Sequence, residues 1–300
     1  MLFKLNPATA TVLIAGISGL SLATFSTPAS AATLHNGWHY SIDSFNDSMA
    51  GYEVGGTPYE IYGTALQQTN DSIIFAINSN LGLEGKSSDY AVDDHTGWGD
   101  LLFNFSGNDL DTANANGDLF GIRFAEESKS GVSELGVYEN VRATEIAWEG
   151  GNRLQDASLS GYANWITQHG GNPQAGDLSI TDPYFNPNRH VPNSMVSGTK
   201  IGDIQFLSDI NSLGLDFGHF GATGTHTFAF QFDRTLLPDG DYVYTLAPEC
   251  DNDIIAGIGT LEPPQDVPEP SSALAVGLVT LAAGALKSRR RSSGNGSQMS

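Results

Sequence analysis

The segment THTFAFQFDRTLLPDGDYVYTL, residues 225–246, contains two stretches in which large apolar side chains occupy alternate positions. In the first stretch these side chains are Phe228, Phe230 and Phe232, and smaller or polar residues lie between them. Because successive side chains of a strand point to opposite faces, the alternation predicts a strand with one buried face. A second strand is predicted at Tyr242–Leu246, after a Pro-Asp-Gly sequence that is typical of a turn. The segment thus indicates a fold built from strands joined by tight turns.

Other parts of the chain repeat this two-residue period. Apolar side chains alternate in GDLLFNF, residues 99–105, and in GDLFGIRF, residues 117–124. Strands are also predicted at Tyr59–Leu66 and Ser72–Asn78, which are rich in β-branched and aromatic residues. Several of the strands follow a Gly-Asp pair, in which glycine supplies an unusual backbone dihedral and aspartate accepts from nearby amides. We interpret these pairs as turns.

One stretch, Ala157–His169, has apolar residues at helical spacing and is followed by a pair of glycines that end it. We therefore expect one short helix in a chain otherwise made of many short strands separated by Gly, Asn and Asp clusters. This organisation predicts a single all-β domain over residues 32–261, either a β-sandwich or a jelly roll. Residues 262–266 are predicted to be a linker that follows the domain.

The composition limits the partners of this domain. The chain has 300 residues, of which 40% are apolar, and a formal net charge of -21. This content is sufficient for one large core, and the negative charge argues against binding to nucleic acid or to anionic lipid. Cys250 is the single cysteine, so no disulfide can form within the chain. We expect its thiol to be a buried apolar group; pairing with another chain is the alternative.

The N-terminal residues have the features of an export signal. Lys4 precedes an apolar run, Ala10–Phe25, and Ala29 and Ala31 then give the small-x-small pattern that signal peptidase requires. We predict a secretory signal peptide over residues 1–31. The alternative, a transmembrane anchor, is less consistent with an apolar run this short that is interrupted by glycine and serine.

The C-terminal residues combine three features. The sequence Val267, Pro268, Glu269, Pro270 is followed by an uncharged apolar stretch, and then by the basic cluster Lys287, Arg289, Arg290 and Arg291. The apolar stretch, residues 271–286, would span about 24 Å as a helix, which is shorter than a hydrocarbon core of about 30 Å. The basic cluster would resist translocation and keep the C-terminus in the cytoplasm. A plain C-terminal membrane anchor is the alternative interpretation.

This tripartite arrangement resembles the PEP-CTERM sorting signal of bacterial exosortase substrates. The residues that carry the resemblance are Val267 to Pro270 and Arg289 to Arg291, so the sorting signal covers residues 267–291 and a polar tail covers residues 292–300. The resemblance implies that an exosortase recognises the Pro-Glu-Pro element in the membrane. It also implies that the helix and arginines are removed as the protein is released or attached at the cell surface.

A second resemblance extends over most of the chain between the two signals. It rests on DDHTGWGDLLFNFSG (residues 93–107), GDLFGIRFA (117–125), GVYENV (136–141) and FDRTLLPDGDYVYTLAPECDND (232–253). Together they are similar to a family of exosortase-dependent surface proteins, chiefly cyanobacterial. The resemblance implies export and residence at the cell surface or in the extracellular matrix, and it supplies no catalytic residues.

The sequence contains only incomplete catalytic patterns. Asp93, Asp94 and Asp100 flank Trp98, an arrangement in which the indole is either a platform for sugars or, as we favour, a buried plug at one end of the fold. His35 and His39 are four residues apart but are too few to hold a metal ion. We therefore assign no catalytic residue.

Calcium is the ligand that the acidic residues favour. Asp109, Asp111 and Asp118, with Asn114 and Asn116, supply hard oxygen atoms in one stretch, although their spacing does not match an EF-hand. Asp251 and Asp253 form a second small acidic cluster beside Cys250. Solvated turn residues remain the default interpretation of both clusters.

From the sequence we therefore expect an exported, exosortase-processed protein of the cell surface or extracellular matrix, without enzymatic activity and with a structural or adhesive role. Its expected partners are signal peptidase and exosortase during export, and extracellular polysaccharide afterwards. The membrane is contacted only through the C-terminal helix before processing. The alternative is a secreted carbohydrate-binding or carbohydrate-active module.

Overall fold

The computed structural model describes residues 32–153 and 158–264 of the chain. The predicted signal peptide, residues 1–31, and the predicted sorting signal with its tail, residues 267–300, lie outside the described residues. In the described part the protein is mostly β-structure, arranged as two six-stranded antiparallel sheets and two short two-stranded ribbons. The all-β prediction is confirmed at this level.

The strands are short, as the turn-rich sequence predicts. In chain order they are β1 (Thr33–His35), β2 (Trp38–Ile42), β3 (Met49–Ala50), β4 (Glu53–Val54), β5 (Ile61–Gln68), β6 (Ser72–Ser79), β7 (Lys86–Ser87), β8 (His95–Thr96), β9 (Leu101–Asn104), β10 (Leu119–Arg123), β11 (Gly136–Thr144), β12 (Ser194–Gly202), β13 (Gln205–Phe206), β14 (His226–Asp233), β15 (Gly240–Leu246) and β16 (Ile255–Leu261). The first sheet has the order β1-β2-β5-β6-β14-β13, and the second has the order β12-β11-β10-β9-β15-β16.

The two strands of residues 225–246 belong to different sheets. β14 pairs with β6 in the first sheet, where Phe230 lies opposite Phe75, whereas β15 pairs with β9 in the second sheet, where Tyr244 lies opposite Phe103. Gly240, at the end of the predicted turn, has a φ of 114°, which a residue with a side chain rarely adopts. The Pro-Asp-Gly sequence therefore carries the chain from one sheet to the other and does not close a hairpin.

Aromatic rings from both sheets meet in a shared core. The Phe75 ring lies 5.1 Å from the Tyr244 ring and 6.3 Å from the Phe103 ring, measured between centroids. Phe230 stacks on Phe75 at 5.8 Å from within the first sheet. These residues are buried in one cluster that also contains the predicted inward-facing side chains Ile122 and Phe232. The inner faces of the two sheets thus pack against each other, as the alternation predicts.

The outer face of the first sheet is also covered, which the sequence did not predict. Its central positions carry small side chains, including Ala76 and Ala229, and Trp38 packs into the same buried cluster. Two 3-10 helices, Ile210–Leu213 and Phe217–Phe220, contribute further apolar side chains to this cluster. Small residues on the strands leave space for these larger groups, so the strands are buried on both faces near their centres.

Two helices pack over the outer face of the second sheet. The helix α1 is Leu110–Asn116 and α2 is Leu159–Gln168, and both bury apolar residues in a cluster with Leu102 and Leu119 of the sheet. The prediction of a helix near residues 157–169 is confirmed for α2. The helix α1 was not predicted; Asp109 caps its N-terminus, and Gly117 ends it in the left-handed conformation. Neither helix has the length and apolar character that crossing a membrane requires, and the same holds for the 3-10 helices of the described chain.

Three sequence-based expectations can be checked against the packing. Cys250 is buried and unpaired, and burial raises the pKa of its thiol. Trp98 is fully buried, and its indole Nε1 donates to the carbonyl oxygen of Gly82 at 2.9 Å, so the interpretation of Trp98 as a buried plug is confirmed. Glu262, at the start of the predicted linker, still exchanges hydrogen bonds with Gln68, so ordered contacts continue just past residue 261.

We predict that Phe230→Ala lowers the free energy of unfolding by about 3 to 5 kcal/mol, because it removes a buried ring and leaves a cavity between the sheets. The matched control is Gln231→Ala, whose side chain is partly exposed and bonds to Gln205 on the edge strand. Chemical denaturation of both variants should show a far smaller loss for the control. Equal losses would contradict the inward orientation of Phe230.

Candidate functional site

A groove of about 750 Å³ lies on the side of the molecule that carries α2. The walls come from α2, from the turn between β3 and β4, and from two loop segments near Tyr90 and Asn252. Its lining residues are Met49, Gly51, Tyr52, Tyr90, Gly151, Asn152, Arg153, Gly161, Asn164, Trp165, Gln168 and Asn252. A concave site of this size is where a small molecule or a few units of a polymer would bind.

Exposed aromatic rings gather around this groove. Tyr52 is 84% exposed and Tyr90 is 67% exposed, although both are large side chains. On the α2 side, Trp165 stacks on His169 at 4.1 Å between ring centroids, and the Tyr52 ring lies 5.9 Å from Trp165. Rings that remain exposed in this way keep a free apolar face and are typical of binding sites.

The opposite wall is fixed by a cation–π contact. The guanidinium of Arg153 lies 4.1 Å from the Trp148 ring centroid and donates to the backbone carbonyl oxygens of Trp148 and Tyr90. Trp148 is itself exposed. The aromatic rim therefore consists of Tyr52, Tyr90 and Trp165, and Trp148 contacts Arg153 without lining the groove itself.

The polar groups of the groove are mainly amides. Asn164 and Gln168 are exposed on α2, one turn apart, and each offers both a donor and an acceptor. Asn152 is oriented by a hydrogen bond from its Nδ2 to the carbonyl oxygen of Cys250 at 3.0 Å. Among the described residues that line the groove, none is an aspartate or a glutamate. The arrangement suits binding of neutral hydroxyl-rich molecules better than acid–base catalysis.

A cluster of buried acidic side chains lies directly behind the groove. One carboxylate oxygen from each of Asp43, Asp47 and Asp253 lies within 4.8 Å of the other two, and all three side chains are buried. Glu60 is fully buried and interacts electrostatically with all three. The Tyr162 hydroxyl donates to the backbone carbonyl of Asp47 at 2.9 Å, which connects the cluster to α2.

Burial changes the protonation of this cluster. Removal from water and the neighbouring carboxylates together raise the pKa of Asp43 to about 8 and that of Asp47 to about 10, although hydrogen bonds from backbone amides lower both. Burial likewise raises the pKa values of Asp253 and Glu60. The folded protein therefore disfavours four separate negative charges at this place.

The residues predicted to bind calcium have separate roles. Asp109 Oδ1 accepts from the Thr112 amide at 2.9 Å as the N-cap of α1, and Asp111 Oδ2 accepts from Asn186 Nδ2 at 2.7 Å. Asp118 Oδ2 accepts from Asn116 at 3.1 Å. In the described part of the chain, Asp109, Asp111 and Asp118 do not form a group whose ligand atoms lie within 4.8 Å of one another. A helix forms across these residues and turns their side chains toward different partners, and calcium binding by this set stays a prediction.

The other candidates are also dispersed. His35 Nε2 lies 3.1 Å from Asp216 Oδ2, and its ring stacks on His219 at 4.0 Å, whereas His39 is not part of this group. Asp93 pairs with Lys129 at the surface, and Asp100 is buried and accepts from the Met195 amide at 2.7 Å. Asp93 and Asp100 therefore have structural partners.

Sequence reasoning missed the groove and found one member of the acidic cluster. Asp253 was noted because it lies next to Asp251, but Asp43 and Asp47 are far away in sequence and were not associated with it. No family model, curated protein or solved structure matches this chain. The interpretation of the site therefore rests on its own geometry.

We predict that Asp109→Ala lowers the melting temperature to the same extent with calcium chloride and with a chelator, because it removes a helix cap. Asp109→Asn should retain most of the stability, since asparagine caps helices as well as aspartate does. Differential scanning fluorimetry of both variants tests this. A loss that appears only in calcium would instead support the calcium site predicted at Asp109, Asp111 and Asp118.

Proposed function

We propose that this protein is an exported component of the cell surface or extracellular matrix that adheres to a neutral polysaccharide through the groove. Export and exosortase processing are supported by the two terminal signals, residues 1–31 and 267–291. The adhesive role is supported by one observation above all, the ring of exposed aromatic side chains around a groove lined with amides.

The chemistry of the groove matches that of a sugar polymer. The faces of a sugar ring carry C–H groups that pack on aromatic rings, and the Tyr52 and Tyr90 rings are available for this contact. Sugar hydroxyls both donate and accept, as do the amides of Asn164 and Gln168. Because the chain has a net charge of -21, a neutral polymer would bind without the repulsion that a polyanion would experience.

The alternative of a glycosidase receives less support. Hydrolysis of glycosidic bonds commonly uses a pair of carboxyl groups on the two sides of the scissile bond. The described lining residues of the groove include no carboxyl group. The carboxyl groups of Asp43, Asp47 and Asp253 are buried and are not among the lining residues. Binding without catalysis is therefore the function that we propose.

The proposed architecture is a single β-sandwich of the jelly-roll type or a relative of it. Contacts between Phe75 of the first sheet and Phe103 and Tyr244 of the second support this assignment. The two sheets would serve as a rigid scaffold, and α2 with the loops would carry the binding surface.

A glycan array tests the proposed adhesion. We expect the surface form to bind one or more neutral polysaccharides, and we expect Tyr52→Ala and Tyr90→Ala each to weaken binding at least tenfold, which is about 1.4 kcal/mol. Leu34→Ala is the matched control because Leu34 is also an exposed apolar residue but does not line the groove. Absence of binding to any neutral glycan, or unchanged affinity in both tyrosine variants, would refute the proposal.

Intact-mass analysis of the cell-surface form tests the processing. We expect a chain that begins near Ala32 and lacks the basic residues from Lys287 to Arg291, because both ends serve transport. A surface form that retains the arginine cluster would exclude exosortase processing while leaving the groove proposal intact.

A further inference from the structure

Three carboxylate oxygens behind the groove have no hydrogen-bond partner. They are Asp43 Oδ2, Asp47 Oδ1 and Glu60 Oε1, and the atoms are inaccessible to solvent. The three side chains are at most 5% exposed. A buried acceptor without a partner is costly, and two of these three oxygens belong to Asp43 and Asp47, whose carboxylates lie close to that of Asp253, an arrangement that favours a cation as their partner.

The protein itself supplies no such charge. In residues 32–153 and 158–264, no lysine, arginine or histidine nitrogen lies within 4.0 Å of the carboxylates of Asp43, Asp47, Glu60 or Asp253. Glu249, another buried acidic residue, does have such a partner, since its Oε2 lies 2.7 Å from Lys129 Nζ. Buried charges are normally paired or coordinated to a metal, so this cluster differs from Glu249.

The remaining oxygens of the cluster are held in place by backbone amides. Asp43 Oδ1 accepts from Gly176 at 3.0 Å, and Asp47 Oδ2 accepts from Gln174 at 2.8 Å. Asp253 Oδ2 accepts from Ile61 at 2.6 Å. Each of these aspartates therefore has a fixed orientation. For Asp43 and Asp47, one oxygen is bound and the other is free, as expected for ligands arranged before the ion arrives.

We propose that Asp43, Asp47 and Asp253 bind a divalent hard cation, that the ion is calcium, and that Glu60 supports it as a neighbouring negative charge. The donor atoms are all oxygens, which excludes the soft or imidazole-rich donor sets that zinc and copper prefer. Calcium accepts six to eight oxygens with flexible geometry, whereas magnesium requires a near-ideal octahedron and retains several waters. A site crowded with carboxylates and closed to solvent fits calcium better.

The ion would join parts of the chain that are distant in sequence. Asp43 and Asp47 follow β2 near the start of the described chain, and Asp253 precedes β16 near its end. Tyr162 of α2 donates to the Asp47 carbonyl, and the Met49 amide donates to the Asn252 carbonyl at 2.9 Å. Because Met49, Gly161 and Asn252 line the groove, the ion would also fix the groove from behind.

The test uses the purified full-length chain, stripped with a chelator and titrated with calcium chloride, with magnesium chloride at equal ionic strength as the comparison. Native mass spectrometry should show one calcium per chain, and the melting temperature should rise in a saturable manner. Magnesium should give a smaller rise in melting temperature. At equal ionic strength both ions screen the negative charge of the protein to the same extent, so the additional rise with calcium reports coordination. A wild-type chain that binds no calcium overturns the proposal, whatever the variants show.

Two substitutions localise the ion. Asp47→Asn and Asp43→Asn each retain an acceptor for the Gln174 or Gly176 amide but remove a negative charge, so we expect each to lower calcium affinity at least tenfold. In chelator both variants should be as stable as the wild type or more stable, because each replaces a buried carboxyl group, whose ionisation the cluster disfavours, by a neutral amide. The control is the double variant Asp109→Asn, Asp111→Asn, which should bind calcium normally.

The outcomes separate the possible sites. Unchanged affinity in both cluster variants, or a loss of calcium binding in the control, would overturn the placement of the ion. Glycan binding is measured independently on the same samples, so a failure of the groove proposal does not alter the calcium result. If both cluster variants fail to fold, Glu60→Gln provides the third test of position, with the same expected loss of affinity.

Discussion

The fold depends on buried carboxylates that accept hydrogen bonds from amide groups distant in the sequence. Glu249, Asp251 and Asp253 alternate along one short segment, and all three are fully buried. Glu249 accepts from the Gly97 amide at 2.9 Å, Asp251 accepts from Asn193 Nδ2 at 2.9 Å, and Asp253 accepts from the Ile61 amide at 2.6 Å. Buried amides without hydrogen-bond partners are unfavourable. These acids therefore stabilise segments whose amide groups are not paired within a sheet.

The same segment explains where the groove lies. It connects β15 to β16 at one end of the second sheet, and its Asn252 carbonyl accepts from Met49 in the ribbon that carries Tyr52. The wall formed by α2 is positioned by Tyr162, whose hydroxyl donates to the backbone carbonyl oxygen of Asp47. The aromatic rim is therefore assembled by polar contacts at the end of the sheets, while the apolar core between the sheets provides the rigid support.

Local patterns predicted the parts of this structure that depend on neighbouring residues. The period of two in β14 and the apolar stripe of α2 are each determined within one element, and both were predicted correctly. Helix α1 was missed because its acidic and amide residues suggested ion binding, although Asp109 and Gly117 are typical caps. The groove and the acidic cluster depend on contacts such as that between Asp43 and Asp253, and no local pattern in the sequence reports such contacts.

A single cysteine leaves this chain without the covalent cross-link that many exported domains use. Its core is large enough to hold the two sheets together, but the long loops at one end need another constraint. Carboxylates that bind backbone amides supply that constraint at a cost, because each buried charge requires compensation. Lys129 compensates Glu249, and no described cation compensates Asp43, Asp47 and Asp253. An ion bound by this cluster would supply the missing compensation, and it would make the stability of the groove depend on the ion concentration of the surrounding medium.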